Sequence, residues 1–163
     1  MFIDRVATQL FFAPELAPLS ASLAAGEDAN LAVAQSARPL VVAATWTRYP
    51  RPCLLIVSGE EAADRVARAL SAWLGQGVVL RYPERGDWPW SDRAADIAAI
   101  GARAHAMMRL SLGENCVVVA SARSLLRRVP PVGSGYFMPS TFAVGDELEI
   151  GDAAELLVGM GYA

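Results

Sequence analysis

The sequence predicts an α/β fold, with a mainly parallel sheet carrying helices on both faces, from three observations. Short apolar runs alternate with longer stretches of helical periodicity, the pattern of successive strand–helix units. Two runs, Cys53–Val57 and Cys116–Ala120, are apolar or small at every position, as strands covered on both faces should be. The connections are short, so consecutive elements must pack as neighbours.

The elements follow in order. Pro14 and Pro18 interrupt apolar stretches, so residues 1–28 read as a segment of one or two short helices. Ala29–Ala34 is a short strand candidate. Pro39 suits the first turn of a helix running to Tyr49, where its missing N–H would be unpaired anyway, and Pro50 and Pro52 end that helix. After the strand Cys53–Val57, Ser58 and Glu61 stand three apart, the spacing of a capping box. The helix they open turns Val66, Ala69, Leu70, Trp73 and Leu74 inward, and Gly75 stops it. Val78–Tyr82 is the next strand. A long helix from about Arg93 to Leu112 offers Ile97, Ile100, Ala104, Met107 and Met108 as its inner stripe, closed by Gly113. Ser121 then caps a helix ending near Arg128.

A boundary falls at Pro130–Gly135, a loop rich in proline and glycine. Charge changes there too: fourteen arginines face twelve acids before it, whereas five acids and no base follow. Residues 29–132 thus form one α/β domain. Residues 133–163 are a linker and the truncated start of a small α+β unit, with strands at Thr141–Val144 and Leu148–Ile150 and a last helix boxed by Asp152 and Glu155.

Composition excludes several chemistries. The chain has no lysine, which removes Schiff-base catalysis and the lysine of a standard phosphate-binding loop. His105 is the sole histidine, and Cys53 and Cys116 lie far apart within apolar runs, so a zinc set is not expected. No carboxylate pair stands out for acid–base work, and no apolar run approaches the roughly 20 residues of a membrane span. A net charge of −3 gives no reason to expect nucleic acid on this segment, and the reduced thiols suit the cytoplasm. Gly75-Gln76-Gly77 follows a helix and precedes a strand, the reverse of a dinucleotide motif, and reads as a helix stop. Arg123, Arg127 and Arg128 read first as a solvated helix end and second as phosphate ligands. Trp88 and Trp90, in a proline-rich loop after a strand, are either a partner surface or a lid over the core.

The segment Ala32–Pro39 lies between the first strand candidate and its helix, where a phosphate loop G-x-x-x-x-G-K-[ST] would sit. Ala32 and Ala37 occupy the glycine positions, and Gln35 lies where helicase-like proteins carry a further glycine. Arg38 replaces the lysine and Pro39 the metal-binding hydroxyl, with Ser36 between. Side chains crowd a cradle that needs bare backbone, and proline removes a hydroxyl and an N–H together. The expected outcome is a nucleotide-type fold with a vestigial pocket, no cofactor, no metal and no catalytic residue.

Four stretches carry a family resemblance. They are this altered loop; Leu54–Ala63; the loop 82–96 before the long helix, with Trp88, Pro89, Trp90 and Asp96-Ile97; and Val118–Pro130 followed by Phe142–Leu148 and Leu156–Tyr162. Together they resemble the amino-terminal region of bacterial transcription-repair coupling factors, a degenerate helicase-like domain similar to the first domain of the B component of the excision nuclease. The match covers roughly residues 29–163. The third stretch is shortened relative to the family, so no role passes to its residues. It is also too short for a DNA-gripping hairpin, which favours the coupling factor over the nuclease component. The resemblance implies a parent that is an ATP-driven DNA translocase, displacing stalled RNA polymerase and recruiting the A component of the excision nuclease. It implies that this segment is a scaffold with little or no DNA binding, whose partners are the parent's other domains. Two other readings remain open: a small nucleotide-using α/β enzyme with a divergent loop, and a free-standing adaptor anchored by Trp88 and Trp90.

Overall fold

Three parallel strands organise the molecule, in the order β1-β3-β2, with β1 at Cys53–Val57, β2 at Val79–Tyr82 and β3 at Val117–Ser121. The structure is a computed structural model, and it describes all residues except 1–5, 7–8, 88–91, 93, 132, 146 and 160–163. Among the fully described segments, the helices α1 (Ala17–Ala25), α2 (Arg38–Arg48), α3 (Glu60–Leu74) and α4 (Ile97–Ser111) precede or connect the strands. A fifth, α5 (Ile150–Gly159), follows, and Pro14–Leu16 and Arg123–Leu125 form single 3₁₀ turns.

The strand order explains the two helical layers. The crossover from β1 through α3 carries the chain past the place β3 will take, and the crossover from β2 through α4 brings it back. Right-handed crossovers running in opposite directions put their helices on opposite faces. β3 therefore lies between strands and beneath helices on both sides. Val117 and Val119 pack with Ala43 of α2 and Ala63, Ala67 and Leu70 of α3. Val118 and Ala120 point the other way, with Leu80, Tyr82 and Ala106 of α4. The register Cys53↔Val117, Leu54↔Val118, Val79↔Val117 keeps these alternations aligned across the sheet. A third cluster joins the amino-terminal segment to α2, where Phe11 meets Tyr49 edge to face at 5.6 Å.

The α/β class, the parallel sheet and most helices stand where the sequence places them. Pro39 sits in the first turn of α2, and Gly75 ends α3 with φ of 87°. Several expectations are corrected. No strand forms at 29–34; this stretch is mostly exposed and has no neighbour to pair with. Residues 141–144 and 148–150 likewise form no strand, and the last helix starts at Ile150 rather than Asp152. The capping box at Ser58 is absent, since α3 begins after Gly59 with Glu60 and Glu61 in its first turn, where carboxylates already suit the helix dipole. Ser121 does cap: its hydroxyl accepts from Ser124 N at 3.0 Å, but only the 3₁₀ turn follows. The long helix is rotated from its expected face. Ala99, Arg103 and Ala106 point inward, leaving Ile97 85% exposed. Small side chains let α4 approach the sheet, and Arg103 finds hydrogen-bond acceptors there. Among the described residues, no helix is long and apolar enough to cross a membrane.

Candidate functional site

Open α/β sheets receive ligands at the carboxyl ends of their strands, and in this chain that end is organised by one arginine. Arg103 projects from α4 and is only 8% exposed. Its Nη1 donates to the carbonyls of Pro83 and Ser124 at 2.8 and 2.9 Å, and its Nη2 donates to the Tyr82 hydroxyl at 2.8 Å. The guanidinium also stacks over the Tyr82 ring, 3.9 Å from its centroid. One side chain thus fastens the end of β2, the turn after β3 and the middle of α4. Burial pushes its pKa below the ordinary arginine value; Tyr82 opposes the shift and the charges of Arg85 and Arg127 add to it.

Around this clamp three arginines share two carboxylates. Arg85 and Arg127 each lie 3.1 Å from Asp87, and Arg123 lies 3.6 Å from Glu84. The cleft they enclose measures about 10 Å³, room for a water molecule but not for a nucleotide. A larger open cleft of about 480 Å³ runs along the outer side of α3 and β2, lined by Asp64, Arg68, Ser71, Gln76 and Arg81. Arg81 is committed there to Glu60 at 3.0 Å, Asp64 at 2.8 Å and the Val119 carbonyl at 2.8 Å. An incoming anion would have to displace two carboxylates to reach it.

The segment Ala32–Pro39 lies elsewhere, on the approach to α2. Residues 35–37 form a turn, and Ala37 precedes the helix in a right-handed conformation with φ of −88°. Ala37 N donates to Ala34 O at 2.9 Å, and Arg38 Nε donates to Val33 O at 3.4 Å. Pro39 is buried in the first turn and has no N–H to offer. Ala32, Gln35 and Ser36 are exposed. Among the described residues no non-glycine adopts positive φ, so the loop lacks the left-handed bends of a phosphate cradle.

The remaining sequence candidates are dispersed. His105 is exposed on α4, and Arg128 is exposed beyond the 3₁₀ turn. Cys53 and Cys116 are free thiols. Burial pushes both thiols above the ordinary value, with Arg51 opposing the shift at Cys53 and Arg109 at Cys116. Trp88 and Trp90 lie outside the described residues. Among the described residues, no cluster of three His, Cys, Asp or Glu side chains could hold a metal. Sequence reasoning missed Arg103. The one signal was a lone arginine between alanines, which periodicity alone assigns to solvent.

Comparison with known proteins supplies what the geometry does not. The chain is 34% identical over 134 residues, 78% of its length, to a transcription-repair-coupling factor of Myxococcus xanthus. The chain is similar to one segment of a transcription-repair-coupling factor. It spans 11% of that coupling factor's length. The similarity supports the resemblance seen in the sequence, to the amino-terminal region of such a factor. No protein-family profile matches the chain, and no solved structure matches it significantly.

Proposed function

We propose that this chain is the non-catalytic amino-terminal domain of an ATP-dependent DNA translocase that couples transcription to nucleotide excision repair in the cytoplasm. The observation that carries the reading is the 34% identity over 134 residues to a protein of that name, within a segment spanning 11% of it. In this reading the ATP motor lies in other domains. The parent displaces stalled RNA polymerase and recruits the A component of the excision nuclease, and the present domain scaffolds that recruitment.

The geometry supports a scaffold in two ways. At Ala32–Pro39, one N–H is spent on a turn and another is lost to proline, while alanine side chains stand where a triphosphate needs bare backbone. At the carboxyl ends of the strands, Arg103 is consumed by three internal acceptors, and Arg85, Arg123 and Arg127 by carboxylates. A clamp of this kind fixes the loops a scaffold presents. The domain's contribution is a fixed shape.

The test is a capture experiment with the immobilised A component of the excision nuclease. The full-length protein should be retained, and the 163-residue chain alone should pass through. Failure of the full-length protein to bind, together with no DNA-stimulated ATP hydrolysis, would remove the reading.

A further inference from the structure

Two arginines stand apart from the charge pairing that runs through the rest of the molecule. Arg65, Arg81, Arg85, Arg109, Arg123 and Arg127 each reach a carboxylate. Arg48 and Arg51, both exposed, reach none among the described residues. They turn instead toward one tyrosine, with guanidinium carbons 5.2 and 5.9 Å from the Tyr49 ring centroid. The setting is stiff. Tyr49 meets the buried Phe11 edge to face at 5.6 Å, and Phe11 meets Phe12 edge to face at 6.0 Å. Trp46 Nε1 donates to the Arg51 carbonyl at 2.9 Å, and Pro50 and Pro52 fix φ on either side of that residue. Phe12 completes the patch, 70% exposed where its ring partners are buried or half-buried. The dipole of α2 accounts for Arg48 in its last turn. It does not account for Arg51, which lies beyond the helix, nor for a bare phenylalanine in the same cluster of rings.

We infer that this patch is a docking site for a short acidic segment of a partner protein, one that carries an apolar side chain beside its carboxylates. The inference goes beyond the functional reading above and does not depend on it. Charge complementarity selects the occupant. Each guanidinium presents a planar fork of donors that matches a carboxylate, and charge-assisted pairs of this kind are the strong ones. Phe12 offers the apolar contact such a segment needs, because exposed ion pairs alone contribute little. The held backbone and the contacts with Tyr49 reduce the ordering that binding would cost. A nucleic acid fits less well. Its backbone is gathered by an extended basic surface, whereas this chain carries a net charge of −3. Its bases need open aromatic faces, and Tyr49 is already engaged by two guanidiniums and Phe11.

Fluorescence anisotropy of a labelled peptide alternating glutamate and leucine, titrated with the 163-residue chain, tests this against a labelled oligothymidine of equal charge. The peptide should bind more tightly than the oligothymidine, and its affinity should fall as salt is raised. Arg48→Glu/Arg51→Glu should weaken peptide binding by about tenfold or more, since each attraction becomes a like-charge contact, and Phe12→Ser should weaken it by less. All three side chains are exposed, so thermal midpoints should not move. Arg48→Gln/Arg51→Gln reads the same loss should the charge-reversed pair fail to fold. Arg68→Glu/Arg128→Glu makes an identical change of net charge at two exposed arginines elsewhere and should leave binding intact. Absence of measurable peptide binding would overturn the inference. Equal losses from the two charge-reversed pairs would overturn it as well, because they would mean attraction to net charge alone. Tighter binding of the oligothymidine would make the patch a nucleic-acid surface and overturn it too.

Discussion

β1 and β3 lie side by side in the same sheet and have nearly interchangeable sequences, Cys-Leu-Leu-Ile-Val and Val-Val-Val-Ala-Ser, yet β3 is buried throughout and β1 only on alternate residues. Their register partners make the contrast sharp: Leu54 is 52% exposed, while Val118, directly across the ladder on the same face, is 2% exposed. Local sequence cannot produce this difference. It comes from neighbours, since β3 has a strand on each side and helices above and below, and β1 has half of each.

The comparison can be broken most directly by placing the same charge on both partners. Val118→Asp should destabilise the chain by more than about 4 kcal/mol, because an unpaired carboxylate enters a sealed layer. Leu54→Asp should fall within about 0.5 kcal/mol, as exposed substitutions do. Urea unfolding of the two variants measures both, and similar losses would erase the distinction. Next in size is the clamp at the strand ends. Arg103→Met strands two carbonyls and a hydroxyl and should cost about 2–3 kcal/mol. Arg103→Lys should recover only part of this, because an ammonium cannot reproduce the planar fork. The cap of α4 is smaller: Asp96 accepts from Ala98 N at 2.9 Å, so Asp96→Ala should cost about 1 kcal/mol by thermal unfolding.

The smallest effect is a pH dependence. Burial raises the pKa of both cysteine thiols in the folded chain. The unfolded chain therefore loses these protons first as pH rises. Their contribution is complete below the ordinary thiol value and declines as pH climbs through the raised folded values. Thermal midpoints followed across that alkaline window should fall, and Cys116→Ala should flatten the fall.

Much of this was legible in the sequence, for physical reasons that particular residues illustrate. The uniform apolar runs at 53–57 and 117–120 mark strands of a parallel sheet, although only β3 is covered on both faces. The spacing of Leu70, Trp73 and Leu74 and the stop at Gly75 fix α3 from local chemistry alone. Ala29–Ala34 shows the limit: its composition permits a strand, but a strand exists only through a partner. α4 shows another. Ile97 and Ile100 suggested the inner face, whereas Arg103 occupies it, because acceptors contributed by Pro83 and Ser124 are invisible until the chain is folded. The clamp is the part of the site least readable in advance, because its acceptors come from two separate stretches of the chain.

Amide hydrogen exchange at Leu54 and Ile56 addresses the central claim, that β3 is the interior strand of this sheet and β1 an edge strand. These two amides should exchange fast while Val118 and Val119 exchange slowly. Equally slow exchange at all four amides would contradict the account.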